Sequence, residues 1–126
     1  MDIPEYSPYT DGDEVEALQE VIESGWISPA GGAVESFEDG IKNITDAEHC
    51  VAVDSGTAAL HLALECLELD EDSEVIVQDF TYGSTALAVK QAGLEPVLVD
   101  IEEETLAMNP DRLEDAIGPE TEAVVV

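Results

Sequence analysis

Apolar residues along the chain follow two patterns of spacing, and the pattern changes near residue 49. Before it, apolar residues recur with the period of an amphipathic helix over 11–24 and again over 34–44, and Gly25 is a natural end for the first helix. After it, short apolar runs alternate with segments of helical period. The predicted strands are 51–53, 75–77, 96–99 and 123–126, and the predicted helices are 57–67, 84–92 and 111–117. This alternation predicts an α/β fold with a mainly parallel sheet flanked by helices on both faces.

Length and composition favour one domain. A chain of 126 residues with 44% hydrophobic content can bury one core. We expect N-terminal helices over 1–46 and a βαβ portion over 47–126. The last apolar run, 124–126, stops partway through what the pattern predicts to be a central strand. A sheet rarely ends there, so we expect 1–126 to be a single incomplete domain, the N-terminal fragment of a longer protein.

The charge balance is extreme, with 31 acidic residues against 3 basic ones and a net charge of -28. Binding to nucleic acid or to an anionic membrane depends on Lys and Arg, so neither is expected as a partner. The helical period is too regular for disorder, and the acids suit the solvated shell of a protein from a high-salt cytoplasm, where the Debye length falls to about 3 Å. The sequence shows no leader and no apolar run of membrane length, which predicts a cytoplasmic protein.

Cys50 and Cys66 are predicted to be core thiols, because the first opens an apolar run and the second lies on the apolar side of a helix. Neither has metal-ligand spacing to His49 or His61, so no metal site is expected.

The most informative segment is 51–62, an apolar run that turns at 54–56 and continues as a helix. The first turn of such a helix has backbone N–H groups without partners and a partial positive charge. Gly56 lets a ligand approach the backbone, and Thr57 adds a hydroxyl, so the turn suits a phosphate group. An ordinary strand-to-helix turn with a Ser or Thr cap explains the same residues equally well when they are taken alone.

Four blocks in register resemble the DegT/DnrJ/EryC1/StrS family of pyridoxal 5′-phosphate (PLP)-dependent sugar aminotransferases, and together they cover nearly all of the chain. The blocks are SGWIS at 24–28 with VESFE at 34–38, VAVDSGTAALHLAL at 51–64, EVIV at 74–77 with FTYGSTA at 80–86, and PVLVDI at 96–101 with 106–117. The resemblance implies the N-terminal part of the large domain of a fold type I PLP-dependent aminotransferase. It strengthens the phosphate interpretation of the turn.

The resemblance also implies roles for individual residues. Gly56, Thr57 and Ala58 would hold the phosphate of PLP, and Tyr82 would stack on the pyridine ring; a half-buried loop aromatic is the alternative for Tyr82. Trp26 and Ser28 would lie in a loop that approaches the active site of the same or of a partner subunit. An alternative of equal weight for Trp26 is that it anchors its loop to the core. Phe80 is expected in the core.

The resemblance also implies that the Schiff-base lysine and the acid that pairs with the pyridinium nitrogen lie beyond Val126. Lys42 and Lys90 fall outside every matching block. The chain alone would therefore be inactive. The full-length homodimer is expected to transfer an amino group, typically from glutamate, to a nucleotide-linked keto-sugar. The alternatives are a truncated non-catalytic homologue and a PLP-dependent sugar dehydratase of the same family. An unrelated nucleotide-binding module is disfavoured, because the chain has no Gly-rich dinucleotide or phosphate-loop motif.

Asp54 departs from the family, which often has a neutral residue at this position. Its charge would oppose a phosphate unless the carboxylate points away or accepts a hydrogen bond.

Overall fold

The computed structural model describes residues 6–126, which divide into two compact units, one extending to Ala52 and the other over Val53–Val126. The first unit has two helices, α1 (Glu14–Ser24) and α2 (Gly32–Thr45). The predicted end of α1 is confirmed, because Gly25 has a φ of 69° and donates its N–H to Ile22 O at 3.1 Å. A left-handed conformation of this kind favours glycine after a helix.

The second unit is a three-stranded parallel sheet with helices between and before its strands. Its elements in chain order are α3 (Gly56–Glu65), β1 (Glu74–Gln78), α4 (Ser84–Gln91), β2 (Glu95–Val99), α5 (Pro110–Ala116) and β3 (Thr121–Val125). The strand order is β2-β1-β3. The first crossover leads from β1 to its neighbour β2, and the second leads back in the opposite direction, past β1, to β3. Right-handed crossovers then place α4 and α5 on opposite faces of the sheet.

The core of this unit lies around β1, whose three central residues are completely buried. Val75 and Val77 pack in one cluster with Ala88 and Val89 of α4, and Ile76 lies outside that cluster. Successive side chains of a strand point to opposite faces, which explains why Ile76 is buried apart from its neighbours. The predicted α/β architecture is confirmed here.

Two strand predictions need correction. The run 51–53 does not form a strand, and the side chains of Val51 and Val53 are exposed. A strand requires a hydrogen-bonded neighbour, and no strand among residues 6–126 pairs with this run. β3, predicted to be central, pairs only with β1 within the described part of the chain, and the central strand is β1.

The prediction of core thiols was also wrong. Cys66 is exposed, because it caps the end of α3 at the surface, and Cys50 is only partly buried. Phe80, expected in the core, is 60% exposed, since it lies in the loop after β1. None of the helices described in 6–126 is long and apolar enough to cross a membrane.

Candidate functional site

The topology brings the starts of two helices to the same edge of the sheet. α3 leads towards the amino end of β1, α4 leaves its carboxyl end, and the two helices pack against each other. Both helices therefore begin toward the carboxyl ends of the strands, where open α/β sheets bind ligands. The predicted phosphate turn at 56–58 and the predicted ring-stacking Tyr82 are both at this edge.

The start of α3 is capped by Ser55. Its hydroxyl oxygen accepts the N–H of Ala58 at 3.2 Å, and its carbonyl oxygen accepts the N–H of Ala59 at 3.0 Å. The amides of Gly56 and Thr57, by contrast, donate to no acceptor within residues 6–126. The Ser cap and a free anion-binding turn are thus compatible: the cap occupies the Ala58 amide and leaves two amides for a ligand.

Open space lies beside these amides. A β-carbon on Gly56 would meet no atom within 4 Å, and Gly56 itself is exposed while Thr57 is half-buried. A phosphate could therefore approach the backbone at Gly56 without displacing a side chain of the unit. The partial positive charge at the start of the helix favours such an anion.

Asp54 belongs to the same turn, and of the two possibilities that the sequence left for its carboxylate, the structure shows acceptance of a hydrogen bond. Its carboxylate oxygen Oδ1 accepts the hydroxyl proton of Ser55 at 3.1 Å. The Ser55 hydroxyl therefore donates to Asp54 while it accepts from Ala58. The sequence signal was the Asp-Ser pair immediately before a helix, a pairing typical of caps.

Tyr82, the predicted ring-stacking residue, lies in the loop between β1 and α4. Its carbonyl oxygen accepts the N–H of Thr85 at 2.9 Å and so begins α4, whereas its side chain is 86% exposed. The alternative of a half-buried loop aromatic is therefore wrong. With Phe80 and Thr81 it lines a cleft of about 410 Å³. A flat ring bound in this cleft could stack on an exposed tyrosine.

Trp26 and Ser28 belong to the first unit and are described within it. The side chain of Trp26 is 61% exposed, and its Cδ1 would lie 2.9 Å from a β-carbon on Gly31, so the ring covers that glycine. Ser28 accepts the N–H of Ala30 at its hydroxyl and the N–H of Gly31 at its carbonyl. Both residues therefore shape the turn between α1 and α2.

All three basic side chains of the protein are paired with carboxylates. Lys42 Nζ lies 2.6 Å from Asp39 Oδ1, Lys90 pairs with Glu95, and Arg112 lies 3.7 Å from Asp115. The Lys42 and Arg112 pairs lie within α2 and α5, whereas the Lys90 pair joins α4 to β2.

A lysine that forms a Schiff base must lose its proton. The hydrogen bond from Lys42 to Asp39 stabilises the ammonium ion and raises the pKa of Lys42. Lys42 is therefore poorly suited to that role. Within residues 6–126, no group of three or more His, Cys, Asp or Glu side chains is arranged to hold a metal ion.

The second unit is an α/β domain in which α3 begins toward the carboxyl ends of the strands, with the amides of Gly56 and Thr57 free of acceptors within residues 6–126. The model of the DegT/DnrJ/EryC1/StrS aminotransferase family matches residues 8–126. The chain belongs to this family, as the four sequence blocks predicted.

Relatives with assigned names support the same placement. The chain is 37% identical over 123 residues to GDP-perosamine synthase of Vibrio cholerae and 41% identical over 123 residues to the spore coat polysaccharide biosynthesis protein SpsC of Bacillus subtilis. Each match covers 98% of this chain but only 34% and 31% of the respective relative. The chain thus spans about a third of the length of these relatives.

A solved structure supports the fold. The structure is similar, with a TM-score of 0.87 and 27% identity, to the E. coli GDP-4-keto-6-deoxy-D-mannose-3-dehydratase with bound hydrated PLP, over 98% of this chain and 33% of that one. The predicted fold class, part of the α/β domain of a PLP-dependent aminotransferase, is confirmed by this likeness.

Proposed function

We propose that the full-length protein containing this chain is a PLP-dependent aminotransferase that transfers an amino group, from glutamate, to a nucleotide-linked keto-sugar. The observation that carries the proposal is the family match over residues 8–126, which includes the open start of α3. The names of the relatives from Vibrio cholerae and Bacillus subtilis, which refer to perosamine and to spore coat polysaccharide, favour a sugar substrate.

The turn before α3 fits the phosphate of PLP. The amides of Gly56 and Thr57 and the hydroxyl of Thr57 would donate to it, and Ala58 would support the turn through its bond to the Ser55 cap. The exposed ring of Tyr82 would set the plane of the cofactor ring. When bound, PLP supplies an electron sink for the substrate carbon, and the protein binds and orients it.

The remaining groups of the active site would come from outside residues 1–126. Lys42 and Lys90 are both held by carboxylates, so the lysine that bonds the cofactor and moves protons is proposed to lie elsewhere in the full-length protein, with the acid that pairs with the pyridinium nitrogen. Residues 1–126 alone would then be inactive. Trp26 and Ser28 are proposed to border the substrate site, in a homodimer whose subunits share active sites.

The charge of -28 favours a cytoplasm of high salt concentration as the setting. Each of the three basic side chains is paired locally, so the excess of carboxylates has no further basic side chains to balance it. Salt would screen their repulsion. A protein adapted in this way is expected to unfold when transferred to dilute buffer.

A second candidate function is sugar dehydration with the same cofactor. The observation in its favour is the likeness to the E. coli dehydratase at a TM-score of 0.87. The deciding residue, a lysine or its replacement, is not among the matched blocks of this chain. A truncated homologue without activity is the third possibility.

Reductive trapping tests these alternatives on the full-length protein. The protein is incubated with PLP in molar KCl, reduced with borohydride and mapped by mass spectrometry, and a second sample receives glutamate and a nucleotide-linked keto-sugar. We expect a cofactor adduct on a lysine outside 1–126, formation of 2-oxoglutarate, and loss of folded signal when KCl is removed.

The matched control is the double variant Lys42→Arg, Lys90→Arg, which should keep the adduct because both positions retain their positive charge. An adduct on Lys42 or Lys90 would contradict the assignment. Binding without an adduct would favour the dehydratase, and no binding would favour the non-catalytic homologue.

The proposed ring stacking by Tyr82 gives a separate prediction for the full-length protein. Tyr82→Ala should weaken binding of pyridoxamine 5′-phosphate by about threefold to tenfold, because it removes an aromatic face, whereas Tyr82→Phe should bind within about twofold of the original protein. Isothermal titration calorimetry measures both. Tyr9→Ala is the matched control, since Tyr9 is 88% exposed and lies in the first unit. Equal affinities for Tyr82→Ala and Tyr9→Ala would contradict stacking by Tyr82.

A further inference from the structure

We infer that Asp54 is a positioning residue of the phosphate site, and that its charge makes phosphate binding stronger as the salt concentration rises. The inference rests on the proposed function, because it takes the start of α3 as the place where the cofactor phosphate binds. It concerns a residue at which the chain departs from its family. Two observations carry it: the hydrogen bonds that link Asp54, Ser55 and Ala58, and the pairing of every Lys and Arg of the chain with a carboxylate.

The hydrogen-bond chain fixes what Ser55 can do. Ser55 has a single hydroxyl proton, and that proton is directed to Asp54 Oδ1 at 3.1 Å. The hydroxyl oxygen then has its lone pairs available for the N–H of Ala58, 3.2 Å away. Asp54 therefore holds the Ser55 hydroxyl in its capping orientation and engages the proton that Ser55 could otherwise donate to a phosphate.

The same hydrogen bonds determine which backbone N–H donors remain for the ligand. With Ala58 engaged by the cap, the amides of Gly56 and Thr57 remain without an acceptor within residues 6–126. Holding the first turn in place keeps these two amides oriented before the ligand arrives, which lowers the entropy cost of binding. The donors are uncharged, and every Lys and Arg of the chain is paired with a carboxylate of its own element or neighbouring strand.

The charge of Asp54 weakens phosphate binding, whereas its hydrogen bond with Ser55 favours binding. The carboxylate is exposed and lies two residues before the first free amide, so it repels a phosphate dianion through solvent. Such repulsion is screened by salt, and at molar concentration the Debye length is only about 3 Å. Most anion sites contain basic side chains and lose affinity in salt, whereas this turn should gain it.

The test compares three changes in the full-length protein after its cofactor has been removed. Asp54→Asn removes the charge but keeps an oxygen that can accept from Ser55. Asp54→Ala removes both. Asp70→Asn is the matched control, because Asp70 is equally exposed and lies in the loop between α3 and β1, at the opposite edge of the sheet.

The ligand is pyridoxamine 5′-phosphate, whose amine does not react with lysine, and pyridoxamine without the phosphate is measured beside it. Calorimetry gives both dissociation constants in molar KCl and at the lowest KCl concentration at which circular dichroism shows every variant to be folded, which is the dilute salt of this test. We expect Asp54→Asn to bind the phosphate form about threefold to tenfold more tightly than the original protein in dilute salt, and equally in molar salt.

Asp54→Ala should bind more weakly than Asp54→Asn at both salt concentrations, because it also removes the acceptor that holds the Ser55 hydroxyl in its capping orientation. The difference in affinity between Asp54→Asn and Asp54→Ala then measures the effect of the hydrogen bond to Ser55 separately from the effect of the charge. Pyridoxamine binding and the Asp70→Asn variant should show neither effect. The inference is overturned if Asp54→Asn binds like the original protein in dilute salt, or if Asp70→Asn or pyridoxamine shows the same change. Failure of the original protein to bind pyridoxamine 5′-phosphate at any salt concentration would overturn the proposed function instead, and this inference with it.

Discussion

Replacing Gly56 with aspartate is expected to raise the dissociation constant of pyridoxamine 5′-phosphate at least about 100-fold in the full-length protein, which corresponds to about 2.7 kcal/mol. Gly56 is the first residue of α3, and a β-carbon there would enter open space beside the free amides. A carboxylate in that space would take the position of the phosphate and repel it. Hydrogen bonds to a charged group contribute about 1.5–3 kcal/mol each, so losing two of them accounts for the effect.

The same substitution should leave folding intact. Acidic residues in the first turn of a helix are stabilised by the helix dipole, by about 0.3–1 kcal/mol, and glycine is a poor helix residue. Stability and cofactor binding are therefore expected to change in opposite directions. Loss of binding through general unfolding would not produce this combination.

Gly32→Asp is the matched control for this experiment. Gly32 is the first residue of α2, and a β-carbon there also meets nothing within 4 Å. The control adds the same charge at the same helical position in the other unit. Equal binding by the two variants would contradict a phosphate site at the start of α3, whereas a loss confined to Gly56→Asp would support it.

Truncation of Ile76 is expected to lower the free energy of unfolding of the full-length protein by about 2–5 kcal/mol. Ile76 is completely buried at the middle of β1, with Val97 and Val124 as its partners on the two neighbouring strands. Ile76→Ala removes buried methyl groups and leaves a cavity that the paired strands cannot close. A loss of this size is a large part of the stability of a small domain.

Leu98→Ala is the control for this second prediction, because Leu98 lies on β2 beside Val77 and is 61% exposed. We expect its substitution to cost less than about 1 kcal/mol, since little buried surface is removed. Urea denaturation in molar KCl, followed by circular dichroism, measures both, and urea leaves the ionic strength unchanged. Equal losses in the two variants would contradict a core centred on β1.

The candidate site could be predicted from the sequence only in part. Gly56 and Thr57 were identified from an apolar run, a turn and a helix start, which are local features. The sequence did not indicate whether Ser55 would cap the helix or donate to a ligand, because both uses fit the same residues. The direction of its hydroxyl, towards Asp54, depends on the conformation of the turn.

The sequence by itself determined the elements and the family. The period of the apolar residues predicted α1 to α5 and all three strands of the sheet, and Gly25 marked the end of α1, because these signals depend on residues within a few positions of one another. The sequence blocks placed the chain in its family before any contact was known.

Tertiary structure alone decided which predicted strand would have neighbours. The runs 51–53 and 75–77 are both short and apolar, and each contains two valines, yet only the second is a strand, and it is the central one. The difference depends on which segments come to lie beside each run. Strand pairing and burial are properties of partners distant in the chain, so they cannot be read from the run itself.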